Sequence, residues 1–292
     1  MVEAIVAAGL PVACDKPLAM NSADARAMFE AAASAGIING YVASHSTGAG
    51  PRFAQAVVAQ GRIGTVRHVE VQSYHVAIPG RPFCWWHRLA DGGGELNTGF
   101  THALELVRRV SGGTVLRAGG VPVHAQDRAP IVGTFHDTRD AFGTNVDLSQ
   151  PGLEFGEVDA ESGFLVTLDL ELDDGSSATA SVAVAHGRGE RRLAVHGAEA
   201  SLLVEGGGNF QIGRDDGSSE QLEIPADYFV NDCAAEERVQ KSWNQFFSRF
   251  VGHLEGRMQA DYPTFRDGCV CCQIIDAVRS GAGVVAIDSP SP

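Results

Sequence analysis

The first forty residues alternate short apolar runs with small-residue breaks. The apolar positions up to Ala8 predict a helix that stops at Gly9, and residues 11–14 predict a short buried strand. Ala25, Met28, Phe29 and Ala32 recur at i, i+3, i+4 and i+7 and predict a helix from Ser22, capped by Asn21 or Ser22 and ended by Gly36. Residues 37–42 are short and mostly apolar, as in a strand covered on both faces. This βαβ rhythm is that of the tail of a doubly wound domain, ending near residue 43.

From His45 onward the rhythm changes to α+β. A helix is expected over residues 52–60, a turn over 61–64, and a strand over 66–72 that sets Val69 and Val71 against His68, Glu70 and Gln72. Further strands are expected over 163–172, 177–186, 190–196 and 200–205. Turns such as Asp173-Asp174-Gly175 and Gly197-Ala198-Glu199 between them suggest an antiparallel meander in one large open sheet. A helix over 239–254, carrying Trp243, Phe246, Phe247 and Phe250, is expected to pack on that sheet. A last helix is expected over 267–279, followed by a short strand over 284–287. Residues 114–151 are Gly- and Pro-rich and weakly periodic, and are expected to form long loops or a pocket lid.

Composition narrows the class. The 292 residues can bury about three quarters of their unfolded surface. Apolar residues at 44% and charged residues at 20% are those of a soluble globular protein. No apolar run approaches the roughly 20 residues that span a bilayer. The first residues carry Glu3 and no basic residue, unlike a signal peptide, so the chain is expected in the cytoplasm. The net charge of −14 argues against nucleic acid and anionic membranes as partners. Cys269, Cys271 and Cys272 cluster, but no second cluster completes a zinc clip; they read as small apolar packers and no metal is expected.

Three motifs carry candidate chemistry. Asp15-Lys16-Pro17 follows a buried strand, at the end where ligands bind in open α/β sheets, and Pro17 restricts the backbone of Lys16. Gly61-Arg62-Ile63-Gly64 leads into an alternating strand. Gly92-Gly93-Gly94 precedes a helix carrying His102, whose neutral imidazole can accept a hydroxyl proton. Helical spacing places Thr98 and Glu105 on the face of His102, with Asn97 beside them. Gly48-Ala49-Gly50-Pro51-Arg52-Phe53 is not a dinucleotide loop, because Phe53 stands at the third glycine and Pro51 removes an amide donor. Phe83-Cys84-Trp85-Trp86-His87 can stack on a sugar ring or pack within a sheet or interface. No Ser-His-Asp arrangement, P-loop or H-E-x-x-H is present.

In order and spacing these motifs resemble the Gfo/Idh/MocA family of NAD(P)-dependent oxidoreductases, over nearly the whole chain. The resemblance implies a large open, mainly antiparallel β-sheet with helices on one face at residues 44–292. Residues 1–43 would then be the C-terminal remnant of a Rossmann-type dinucleotide-binding domain. It implies hydride transfer at a sugar or cyclitol carbinol, with NAD or NADP as cofactor although the phosphate-binding loop is not in this chain, so the chain is expected to be an incomplete version of such an enzyme. Lys16 matches the lysine between nicotinamide and substrate hydroxyl, with Asp15 and Pro17 beside it on the cofactor, and His102 matches the catalytic histidine. Thr98 stands where the family has a catalytic aspartate, and Phe100 where it has glycine. Glu105 matches a common aspartate, and either Glu105 or Asn97 is a candidate to replace the lost carboxylate. His45, Arg52, Trp86, Asn97 and Glu105 are candidate substrate contacts. A homodimer or homotetramer through the sheet face is implied. Two other readings remain: a non-redox ligand-binding or regulatory protein, and a cofactor-free lyase or epimerase using Lys16 and His102 as an acid/base pair.

Overall fold

The structure, a computed structural model, describes residues 1–75, 80–187, 189–206, 208–229 and 238–290. Helix α1 (Val2–Ala7), strand β1 (Val12–Asp15), helix α2 (Ser22–Ser34) and strand β2 (Asn39–Val42) come first, and β1 and β2 pair in parallel. The Asn21 side chain accepts the Asp24 backbone N–H and caps α2, and Gly36 takes φ +62° behind it. A 3₁₀ turn (Ser44–Thr47) leads to α3 (Ala49–Ala59) and β3 (Val66–His75), and a π-turn (Leu96–Phe100) leads into α4 (Thr101–Ser111). Then follow β4 (Thr114–Val123), β5 (Arg128–Ile131), α5 (Thr138–Gly143), β6 (Glu154–Glu157), β7 (Gly163–Glu171) and β8 (Ser177–His186). The chain continues through β9 (Arg191–Gly197), β10 (Ser201–Glu205), β11 (Asn209–Gly213), β12 (Ser219–Leu222), α6 (Arg238–Leu254), α7 (Phe265–Ser280) and β13 (Val285–Ala286).

Nine strands make one sheet in the order β12-β11-β10-β9-β3-β8-β7-β4-β13. Only the central pair β3 and β8 is parallel. Alternation decides which face is covered: along β7, Phe164, Val166, Leu168 and Leu170 are buried while Leu165 and Thr167 point outward. The covered face packs against Leu96, Phe100, Leu104 and Val107 around α4 and against Val270, Ile274 and Val278 of α7. The fold class is therefore α+β, a large and mostly antiparallel sheet with helices on one face. Among the described residues no helix is long and apolar enough to cross a membrane.

Two expectations are corrected. Residues 114–123 are a full strand, β4, rather than loop, because a bulge between Val115 and Arg117 breaks the alternation. Its glycines answer close approach: a Cβ on Gly120 would lie 2.4 Å from the Leu165 carbonyl oxygen, and one on Gly119 2.9 Å from that of Gly283. Helix α6 packs on the small parallel sheet instead of the large one. Phe246 and Phe250 cluster with Val42 and Tyr262, over Gly40, where a Cβ would meet Phe246 at 2.9 Å.

A 3₁₀ turn follows residue 43, and the first four elements share their core with α7. Phe265, Cys269 and Cys272 complete the cluster formed by Val6, Val12, Ala25, Ala32 and Tyr41. Helix α7 thus joins both sheets, and an ion cluster locks it to α4. Arg108 pairs with Glu105 at 3.3 Å and with Asp267, whose carboxylate also caps α7 through Thr264. Glu105 is buried, so removing the cation strands two carboxylates. Arg108→Ala is expected to cost about 3–5 kcal/mol, read as a lowered urea midpoint.

Candidate active site

The site lies where the end of β1, the start of α4 and one end of the large sheet converge. Lys16 leaves β1 with its backbone N–H donating to the Asp15 carboxylate at 2.8 Å. The Lys16–Pro17 peptide is cis. Behind it the chain is pinned to α7: the Ser22 N–H donates to Asp276 at 2.8 Å, and Leu18 fills the space beside Gly268. Met20 reaches across to Gly92, so the lysine loop touches the triple-glycine turn.

That turn needs glycine for contact as much as for conformation. Gly92 and Gly94 have φ of +84° and +93°. A Cβ on Gly93 would lie 2.3 Å from the Trp86 carbonyl oxygen, and one on Gly94 would lie 2.3 Å from a Glu161 carboxylate oxygen. Glu161, only 1% exposed, accepts the Leu96 N–H at 3.0 Å and is paired with Arg279 at 2.7 Å. Arg279 also donates to the Asn97 side-chain oxygen at 3.3 Å, and the Asn97 amide donates to the Gly92 and Gly93 carbonyls. Asn97 is thereby committed to holding the turn.

His45, on the 3₁₀ turn after β2, stacks on His102 of α4 with ring centroids 3.8 Å apart. The His102 Nδ1 is buried and has no hydrogen-bond partner among the described residues. Burial first, then His45, Lys16 and Arg191, hold the His102 pKa well below its ordinary value. The outer side of His45 is exposed, but the atoms crowded on its inner side, with Arg191 and Lys16, push it down to about 4. Both rings are neutral at pH 7.

Sequence reasoning missed Glu95, the one buried carboxylate electrostatically coupled to Lys16 here. Burial raises its pKa to about 7, against the pull of Lys16, Arg81 and Arg191. Its carboxylate occupies the space a side chain at Gly99 would take, 2.3 Å from where that Cβ would be, with Val184 alongside. A Glu followed four residues later by Gly was the available signal, since i and i+4 are helix neighbours. Lys16 is likewise lowered by burial, while Asp15 and Glu95 favour its charged form.

Other expected site residues lie apart from this group. The Thr98 hydroxyl donates to the Gly94 carbonyl at 2.8 Å and accepts the Trp86 indole N–H at 3.1 Å, so both residues are engaged in holding the turn. Glu105 belongs to the Arg108–Asp267 cluster. Arg52 sits over the Tyr228 ring at 5.2 Å, with Arg249, Asp261 and Arg109 as its charged surroundings. Among the described residues no group of three His, Cys, Asp or Glu side chains is placed to hold a metal ion. Two open depressions, one lined by Phe83, Arg88, Glu157 and Asp159 and one around His124 and Asp127, share no residue with the Lys16 group.

The nine-stranded sheet backed by α4 and α7, with a lysine loop and a histidine helix meeting at one end, defines a class of two-layer α+β protein. A family model described as the GFO/IDH/MocA C-terminal domain matches residues 52–203, and the chain belongs to the Gfo/Idh/MocA family. Among solved structures it is similar to an oxidoreductase domain protein from Kribbella flavida, at 20% identity and a TM-score of 0.78 over 98% of this chain and 77% of that one. It is also similar to levoglucosan dehydrogenase in complex with NADH and L-sorbose, at 19% identity and a TM-score of 0.75 over 99% and 76% of the two chains. A super-repressor mutant of Gal80p from Saccharomyces cerevisiae matches at 14% identity and a TM-score of 0.71 over 95% and 72%. No curated protein matches the sequence.

The Glu95–Gly99 contact generates a direct test. Alanine is about 1 kcal/mol better than glycine in a helix interior, so only the carboxylate opposes a methyl group at residue 99. Gly99→Ala is expected to destabilise the native chain by about 1–3 kcal/mol and to be neutral or stabilising in a Glu95→Ala background. Equal effects in both backgrounds, by urea denaturation, would remove Glu95 from that space.

Proposed function

We propose that this chain carries the reacting end of an NAD(P)-dependent dehydrogenase that transfers hydride at a carbinol of a sugar or cyclitol. The observation that carries the reading is the convergence of Lys16 and His102, with a buried and unpartnered imidazole Nδ1, at the end of β1. Membership of an oxidoreductase family and the solved complexes of levoglucosan dehydrogenase with NADH, L-sorbose and levoglucosan support it. A bound nicotinamide would supply the hydride acceptor, which no side chain can replace. Lys16, Asp15 and Pro17 would meet it, and a lysine without an ion-pair partner beside a neutral imidazole fits a site for a carbinol.

In this reading Lys16 donates to the substrate hydroxyl oxygen and stabilises the charge that develops there. His102, held neutral, accepts the hydroxyl proton. Thr98 cannot offset an imidazolium, and the family's catalytic carboxylate is replaced by Glu95, which acts through Lys16 as a positioning residue. His45 fixes the His102 ring by stacking. The open face of the large sheet is assigned to homo-oligomer formation, residues 1–43 to a Rossmann-type unit, and the protein to the cytoplasm.

Fluorescence titration with NADH and NADPH tests the cofactor half of this reading. Saturation in the micromolar range is expected, and absence of binding at millimolar nucleotide would contradict it. The commitment of Thr98 to Trp86 and Gly94 favours one rival, a non-redox ligand-binding protein, which that second outcome would support. For turnover, Glu95 is neutral below its pKa of about 7 and ionised above it. Sugar oxidation is therefore expected to rise with pH through about 7, and Glu95→Gln is expected to abolish that limb while lowering the rate. A limb unchanged in the variant would exclude Glu95 from this role.

A further inference from the structure

Positive charge collects at this site in a chain whose net charge is −14. The side chains of Lys16, Arg81 and Arg191 make no hydrogen bond or ion pair among the described residues, whereas the little-exposed arginines Arg108, Arg109 and Arg279 are paired. The placement of the two arginines is structural. Arg191 opposes Ser73, and Ser73 opposes Val184, in one cross-strand row through β9, β3 and β8. Directly opposed residues share a face, so Arg191 shares the helix-covered face of Val184, the residue beside Gly99 and Glu95. Arg81 lies 4.0 Å above the Phe142 ring, and Phe142 packs edge-on against Trp86, whose indole holds Thr98. Its Nε is buried and has no partner. The two arginines therefore approach the Lys16–His102 centre from opposite supports, the sheet and the Trp86 turn.

Asp15 and Glu95 both act on Lys16, and neither forms an ion pair with Arg81 or Arg191. Lys16 is accounted for by the carbinol and Glu95, but Arg81 and Arg191 have no task in hydride transfer at a neutral alcohol. Arg81 is half-buried with its Nε unpartnered, while Arg191 is exposed at the end of β9; a buried guanidinium nitrogen without a partner is costly, and such sites persist where an anion completes them. We infer that Arg81 and Arg191 form an anion subsite, and that the substrate is an acidic sugar carrying a carboxylate or phosphate beside the carbinol that reacts at Lys16. This rests on the dehydrogenase reading and names its substrate class.

The same field bears on the base. Lys16 and Arg191 are among the charges that hold His45 and His102 low, and His75 feels Arg191 and Arg81. A substrate anion seated on Arg191 offsets that field and makes the imidazolium at His102 easier to form. An acidic substrate thus brings with it the counter-charge that Thr98 does not provide.

The test is NMR titration of the whole chain, in the presence of NADH, with hexuronates, hexose 6-phosphates, the parent neutral hexoses and myo-inositol, following the histidine ring protons. At least one acidic sugar is expected to bind at least tenfold more tightly than its neutral parent, with affinity falling as salt rises, and to raise the His45 pKa above its free value. Preference for the uronates or for the phosphates decides which anion the subsite takes. Arg191→Gln and Arg81→Gln are expected to weaken the acidic ligand at least tenfold more than the neutral one, with Arg81→Lys as a second variant should loss of the Phe142 contact unfold the chain. Neutral sugars binding as tightly as acidic ones, or arginine variants that leave the preference intact, would overturn the anion subsite and leave the dehydrogenase reading standing. No binding by any sugar would overturn both.

Discussion

The site depends on one buried carboxylate. Glu95 lies where a side chain at Gly99 would otherwise be, against Val184 of the sheet, and Lys16 is the largest opposing charge acting on it. Around that pair the balance of charge is unusual for so acidic a chain: two more cations, Arg81 and Arg191, and a stacked pair of histidines kept neutral by desolvation and by Lys16 and Arg191. Each departure from the family motif reads as part of one rearrangement. Where an aspartate is expected, Thr98 is tied to Trp86 and Gly94; the glycine expected at residue 100 stands at residue 99; and the carboxylate appears at residue 95.

The rest of the fold holds this arrangement in place. Helix α7 packs against both the small parallel sheet and the large one, so the lysine loop and the histidine helix rest on a common support. Glu161 and Arg279 fix the triple-glycine turn from the β7 side, and Arg108 fixes α7 to α4. Neither cluster touches the reacting groups. Their work is to hold Lys16 and His102, which are 86 residues apart in sequence, near one another.

Much of the fold was legible in the sequence where a single period ran unbroken. The stripe on α2, the alternation of β3 and the hairpins β7–β8 and β9–β10 read correctly, but the expected meander is broken where β3 inserts between β8 and β9. Strand β4 did not read correctly, because a bulge and two glycines required by close approach, Gly119 and Gly120, erase the period. Helix α6 announced its apolar face but not its destination, which is set by the missing side chain of Gly40 two hundred residues earlier. At the site, motif spacing brought Lys16, His45 and His102 forward, and the structure places them together. Glu105, Asn97 and Arg52 share helix or turn positions with them, yet each is drawn to a nearer charge or carbonyl. Glu95, Arg81 and Arg191 carried no motif, and their joint meaning arises only from tertiary placement.

The most direct measurement is the ionisation of Glu95 itself, followed by the carboxyl ¹³C shift in glutamate-labelled protein with Glu95→Gln to assign the signal. The account predicts a carboxyl that titrates at about 7. A carboxyl titrating near the ordinary value of 4.5 would contradict it, because Glu95 would then be open to solvent and the cations would have no buried carboxylate among them.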